Sequence, residues 1–219
     1  MAPVLLLSEH RLPLLEAGWV VLAYLLGSIP FGLLFGRLKG IDLREVGSGN
    51  IGATNTMRAL GRGWGLTAFF LDLAKGWLPA FLAPTLAQPG DGGVLAVLAG
   101  AAAVAGHCFP LYLRFRGGKG VATGCGAIIA IEPLVFLSAS AVWMLTLAIW
   151  RFVSLSSLLM GLAFPVAARI LRPEELAFQL GCLALTLLVF IRHKSNLTRL
   201  LSGTEPRVGK SRPEGATHG

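Results

Sequence analysis

The segment KGVATGCGAIIAI, residues 119–131, decides how this chain is threaded. It is apolar beyond its first two residues but only 13 residues long, so as a helix it rises about 20 Å against a hydrocarbon layer of about 30 Å. Gly120, Gly124 and Gly126 suit it to close packing on other helices better than to exposure in lipid. Around it run six longer apolar segments, at about 14–36, 64–86, 94–112, 134–152, 154–171 and 175–191. Each has 17–23 residues, enough for an upright or tilted membrane span.

Parity settles whether the short segment crosses. Arg37, Lys39, Arg44, Arg58 and Arg62 form one basic cluster, and Arg114, Arg116 and Lys119 a second. A third holds Arg192, Lys194, Arg199, Arg207, Lys210 and Arg212. Two long segments separate the first cluster from the second, and three separate the second from the third. All three share the cytoplasmic face only if the short segment also crosses, as the bias of Lys and Arg to that face favours. The expected fold is therefore an all-α polytopic membrane protein with seven transmembrane helices, its N-terminus outside and its C-terminus cytoplasmic. Residues 1–206 read as a single integral membrane domain and 207–219 as a basic, flexible tail. The N-terminal MAPVLLLSEH has no basic leader region and no small-residue cleavage site, so the first apolar segment reads as a retained span.

Composition agrees. Of 219 residues 54% are hydrophobic and only 14% charged, where soluble domains carry about 25% charged residues. The mean hydropathy is +0.70. These values exclude a disordered chain, a coiled coil and a secreted disulfide scaffold. A net charge of +8 would suggest nucleic acid in a soluble protein; here membrane orientation explains it, and no nucleic-acid partner is expected. Cys108, Cys125 and Cys182 form no CxxC pair and read as buried reduced thiols, with no metal site.

Three polar stretches fall on the basic face. The first, GSGNIGATNTMR at 47–58, contains a GxGxxG without the strand–turn–helix unit that a dinucleotide site requires. Its small residues let backbone N–H groups approach an anion, and a helix is expected from Ala53 to Leu60. Ser48, Asn50, Thr54 and Asn55 add neutral hydrogen-bonding groups, and Arg58 adds a charged fork. A plain polar turn that caps the helix is the competing reading. The second, GHCFPLYLRFRGGKGVAT at 106–123, has a glycine-rich turn and a lysine but not P-loop spacing. It suits a phosphate at the membrane surface, or an interfacial turn with a snorkelling lysine. The third, IRHKSNLTRLLSGTE at 191–205, reads as an amphipathic interfacial helix with His193 and Asn196 on one face. Asp72 and Lys75 add an ionisable pair inside a span, either functional or mutually neutralising.

Taken together and in this order, the three stretches resemble the bacterial acyl-phosphate:glycerol-3-phosphate acyltransferase family, over residues 20 to 206. The resemblance implies an enzyme of the bacterial cytoplasmic membrane with its active site facing the cytoplasm. It would transfer a fatty acyl group from acyl phosphate to the sn-1 hydroxyl of glycerol 3-phosphate, giving lysophosphatidate and inorganic phosphate at the start of phospholipid synthesis. Its partners would be these two substrates and membrane lipid, with no cofactor. By similarity, Ser48, Arg58, Lys119, His193 and Asn196 carry the catalytic work. Asn50, Thr54, Asn55, His107, Gly117, Gly118 and Gly120 bind substrate, and Glu205 supports.

That chemistry suits the residues. Two phosphate dianions must be brought together, so positive charge and N–H donors must collect at one place. Acyl phosphate is already an activated anhydride, so positioning and oxyanion stabilisation can carry most of the rate. No Asp stands five residues after His10, His107 or His193, so a His-x4-Asp base is absent. The proton acceptor is either His193 or a substrate phosphate, whose second pKa is about 6. A phosphate or organic-anion transporter would use similar glycine-rich turns, but should place its polar groups near the bilayer midplane.

Overall fold

Long apolar segments give a chain built from helices. The computed structural model describes residues 2–209, with side chains from Leu14 onward. The tail expected over 207–219 lies almost wholly outside the described residues. Ten α-helices follow in order: α1 Ala2–Gly27, α2 Phe31–Leu38, α3 Ala53–Leu60, α4 Arg62–Leu82 and α5 Gly92–Cys108. Then come α6 Val121–Ile131, α7 Pro133–Trp150, α8 Val153–Leu171, α9 Leu176–Arg192 and α10 Lys194–Leu201. Among the described residues there is no β-strand.

Five stretches are long and apolar enough to cross a membrane: Leu14–Leu38, Arg62–Thr85, Gly92–Leu113, Pro133–Trp150 and Val153–Leu171. A sixth forms if α9 is counted with α10, from which it bends by 60°. Many large apolar side chains, among them Phe70, Leu137, Leu145, Ile149, Ile170 and Leu187, point outward and are exposed. In water such a surface would aggregate; against lipid it is the expected outer face.

The short segment is α6, of 11 residues. Thr123 through Ile128 are buried in it, as expected for a helix too short and glycine-rich to face lipid. A methyl group on Gly76 would strike the Thr123 carbonyl, and one on Gly126 the Leu73 carbonyl, so α4 and α6 meet nearly backbone to backbone. On its other side α6 gives Cys125 and Ile128 to a core shared with Val135 and Ala139 of α7, Phe164 of α8 and Cys182 of α9. All three cysteines are free and buried, as the spacing implied.

The connections sort into two sets by their contacts. At one end, Glu132 between α6 and α7 pairs with Arg172 beyond α8, which also faces Glu175 at 3.6 Å. Gln88 N donates there to Glu16 Oε1 at 3.0 Å, tying the α4–α5 connection to α1. At the other end, Lys119 before α6 meets Asn196 of α10, and Ser154 at the start of α8 meets Glu205. Helix α6 thus runs from the second set to the first, as the longer helices do.

The first apolar segment, anticipated as one span over 14–36, is the span Leu14–Leu38, and within it the helix is broken locally at Ser28–Pro30. Proline has no N–H and disfavours helical geometry at the residue before it, here Ile29, although hydropathy runs unbroken through this point. The Ile29 carbonyl left over at the break accepts from Lys75 Nζ at 2.8 Å.

Candidate active site

The first stretch forms a turn that leads into α3. Gly47 and Gly49 have φ of +62° and +68°, a region where a side chain is strained, and this lets the chain fold back over Asn55. Asn55 is 2% exposed and fully engaged. Its Oδ1 accepts from Ser48 N at 2.9 Å, and its Nδ2 donates to the carbonyls of Leu43 at 3.0 Å and Val46 at 3.1 Å. Asn55, expected on the substrate, therefore has both amide protons committed to shaping the loop. Asn50 acts similarly on a smaller scale, its Oδ1 accepting from Gly52 N at 2.9 Å just before α3. Ser48, Thr54 and Arg58 remain exposed, so these three are the groups the turn presents.

The second stretch doubles back on the end of α5. Gly117 N donates to the Cys108 carbonyl at 3.1 Å and Gly118 N to the His107 carbonyl at 3.0 Å. The carbonyls of the same two glycines are gripped by Arg192, through Nη2 to Gly117 at 2.7 Å and Nε to Gly118 at 2.9 Å. Arg192 also lies 5.4 Å over the Phe109 ring. Gly118 is buried, and a methyl group there would collide with His107 Nε2. Gly120 has φ +80° and turns the chain into α6.

Beneath the glycine turn, His107 joins the pair anticipated in α4. Lys75 Nζ lies 2.8 Å from Asp72 Oδ1, and His107 Nδ1 lies 3.6 Å from the same oxygen. All three are buried. His107, expected on the substrate, thus lies under the turn and links it through Asp72 and Lys75 to the break at Ile29.

Lys119 follows the glycine pair and points to the third stretch, where its Nζ donates to Asn196 Oδ1 at 2.6 Å. Asn196 passes the contact on, donating from Nδ2 to Glu205 Oε1 at 2.7 Å. Glu205 is held in turn by Ser154 Oγ at 2.6 Å and by Arg199 Nε at 2.7 Å. Burial opposes ionisation of Glu205, but the hydrogen bonds from Ser154, Asn196 and Arg199 outweigh it and hold the carboxyl below its usual range. Burial pushes the Lys119 ammonium down to about 8; Glu205 opposes this, while Arg199, Arg58 and Arg192 add repulsion. The positive charges of Arg58 in the first stretch and of Arg192 and Arg199 in the third are thus all felt at Lys119 of the second, where an anion would relieve them.

His193 sits past the end of α9, buried, with Nδ1 2.8 Å from the Val189 carbonyl. A carbonyl can only accept, so Nδ1 carries the proton and Nε2 is the free acceptor in the neutral ring. Burial, with repulsion from Lys119, pushes its pKa down to about 4, so it is neutral at pH 7.

The structure therefore brings Lys119, His193 and Asn196 together, with Gly117 and Gly118 alongside and Arg58 in electrostatic range. Arg192, Ser154 and Arg199 were missed as site residues. Arg192 could have been flagged, since it directly precedes His193; Ser154 lies at the start of an apolar helix and carries no signal of its own.

A family model described as Glycerol-3-phosphate acyltransferase matches residues 17–203. A Glycerol-3-phosphate acyltransferase of Jannaschia sp. (strain CCS1) is 46% identical over 193 residues, covering 87% of this chain and 92% of that protein. Two crystal structures of PlsY (YgiH), an integral membrane glycerol 3-phosphate acyltransferase, have similar folds. Its glycerol 3-phosphate form superposes with a TM-score of 0.84 at 39% identity, covering 89% of this chain and 96% of that one. Its lysophosphatidic acid form gives 0.81 at 38% identity, covering 89% and 95%. The chain belongs to the glycerol-3-phosphate acyltransferase family.

Proposed function

We infer that this protein is a membrane-embedded glycerol-3-phosphate acyltransferase with acyl phosphate as its donor. The sn-1 hydroxyl oxygen of glycerol 3-phosphate attacks the acyl carbonyl carbon, the bond from that carbon to the phosphate oxygen breaks, and lysophosphatidate and inorganic phosphate leave. The observation that carries this reading is the 2.6 Å contact of Lys119 with Asn196, which joins the glycine turn to the third stretch.

In this reading Arg58, Ser48 and Thr54 hold glycerol 3-phosphate. Lys119 and the turn Gly117–Gly120 hold the phosphate of the donor and offset the charge of two dianions. Asn50, Asn55 and His107 shape the two loops. Asn196 and Glu205 fix the Lys119 ammonium, and His193 Nε2 or a substrate phosphate takes the hydroxyl proton. The donor phosphate is a good leaving group, so a weak base suffices.

The rate should follow the charge on Lys119. Below about pH 8 the ammonium is present in the free enzyme, and raising the pH through that value removes it. We expect kcat/KM to fall above about pH 8, while the limb in kcat lies higher because bound phosphate stabilises the ammonium. Initial rates between pH 6 and 10 check this; a flat profile to pH 10 contradicts it.

The same reading takes seven crossings, with α6 as the short one, in the bacterial cytoplasmic membrane. The two sets of connections support this, since the set bearing the basic clusters is also the site's end. A reporter fused after Arg212 is expected on the cytoplasmic side, and its appearance outside would overturn the orientation. A transporter is disfavoured because Ser48, Arg58, Lys119, His193 and Asn196 all lie in connections or short helices and none within a long helix. Sealed proteoliposomes test the class. Labelled glycerol 3-phosphate supplied with acyl phosphate is expected in lysophosphatidate, whereas free label accumulating in the lumen would favour transport.

A further inference from the structure

A second basic hollow lies on the same end of the bundle. It has a volume of about 350 Å³ and is lined by Arg37, Arg44, Tyr112, Leu113, Arg114 and Arg116. None of these belongs to the acyl-transfer site described above. Arg37 comes from the last turn of α2, Arg44 from the loop before α3, and the rest from the turn after α5. Four guanidinium groups around one space repel one another unless something negative sits among them.

The chain itself supplies little to offset that charge. Asp42 holds Arg44, with Arg44 Nε 2.9 Å from Oδ1 and Nη2 2.5 Å from Oδ2. Among the described residues, Arg37, Arg114 and Arg116 make no ion pair and no side-chain hydrogen bond. The backbone goes to some trouble to place them. Arg114 and Phe115 take φ of 52° and 63°, two successive non-glycine residues in the left-handed region. Phe115 N then donates back to the Pro110 carbonyl at 3.0 Å and Arg116 N to that of Leu113 at 3.1 Å. Such strain persists only where the surroundings impose it.

The rim shows where the hollow faces. Leu38, Leu111, Tyr112 and Phe115 beside it are all exposed, an apolar fringe around a basic centre. Aromatic and apolar groups next to arginines at the end of a bundle mark the depth of lipid headgroups. Arginine forks match phosphate oxygens in pairs. We propose that this hollow, beside the acyl-transfer site but lined by none of its residues, is a second phosphate-binding site at the membrane surface, which takes a phosphate group, free or esterified. Two sources share that chemistry: the headgroup of an anionic phospholipid and free phosphate.

Two measurements on the full-length protein test the site and tell its sources apart. In the first, native mass spectrometry follows lipid adducts from micelles containing phosphatidylcholine and phosphatidylglycerol. In the second, thermal melting follows stabilisation by inorganic phosphate at constant ionic strength, with glycerol 3-phosphate saturating the acyl-transfer site. The variants are Arg37→Gln/Arg116→Gln, its charge-preserving partner Arg37→Lys/Arg116→Lys, and Arg114→Gln alone. The expected result is about tenfold weaker phosphatidylglycerol binding in the glutamine variants, with much of it retained in the lysine pair. Acyl transfer in neutral micelles should stay within about twofold, so the site can fail without the catalytic reading failing. Loss of the phosphate response alone, with lipid adducts unchanged, assigns the site to free phosphate. If every variant binds both probes as the wild type does, the proposal is overturned.

Discussion

Replacing Lys119 by alanine is expected to lower kcat/KM by about 10²–10³-fold, the effect of removing one well-placed electrostatic donor from a site of this kind. Asn196 would lose its 2.6 Å contact, but Glu205 would keep Ser154 and Arg199, so the third stretch should hold its shape. The melting temperature should move little. Loss of activity without loss of fold separates a charge that acts on substrate from one that merely braces two loops. Lys119→Arg should recover only part of the rate, because a planar fork must fit where a compact ammonium meets one amide oxygen. Steady-state kinetics with both substrates varied, alongside thermal melts, decide the matter. Activity of the alanine variant within tenfold of the wild type would show that the Lys119 charge does not act on substrate.

Gly118→Ala should be nearly as damaging, for a different reason. The added methyl group meets His107 Nε2, and His107 is itself buried with Nδ1 facing Asp72, which Lys75 holds. The histidine is buried, so the turn is expected to move, and Arg192, which holds its carbonyls, to move with it. A displacement of about 1 Å at Lys119 costs about 10²-fold in rate, and overpacking a tight site destabilises by about 1–3 kcal/mol. Both kcat and the melting temperature should fall, in contrast to Lys119→Ala, where only the rate does. An unperturbed melting curve with full activity would show that the contact between Gly118 and His107 does not set the turn.

Much of the fold could be read from the residues because the forces that make it are local. The helix from Ala53 to Leu60 and the amphipathic α10 emerge where periodicity and glycine punctuation place them. The special status of residues 119–131 follows from length and glycine content, and packing bears it out. Long-range contacts were not legible in the same way. Asp72 and Lys75 declare themselves as neighbours on one helix turn, but nothing in their spacing brings His107 to the same oxygen. The three motif stretches pointed to a shared site, yet which members face outward depends on burial: Asn55 and Asn50 turn inward to the loop, while Ser48, Thr54 and Arg58 do not. Arg192 reads as one more basic residue of the cytoplasmic face until its fork is seen on two carbonyls.

The proposed use of a ready-made acyl anhydride, at a site that grips two phosphates, is tested most directly by phosphate release from the purified protein in detergent, followed together with lysophosphatidate. With glycerol 3-phosphate and acyl phosphate, the two products should appear one for one, and acyl-CoA should not replace the donor. Equal turnover with acyl-CoA, or phosphate released without lysophosphatidate, would contradict it.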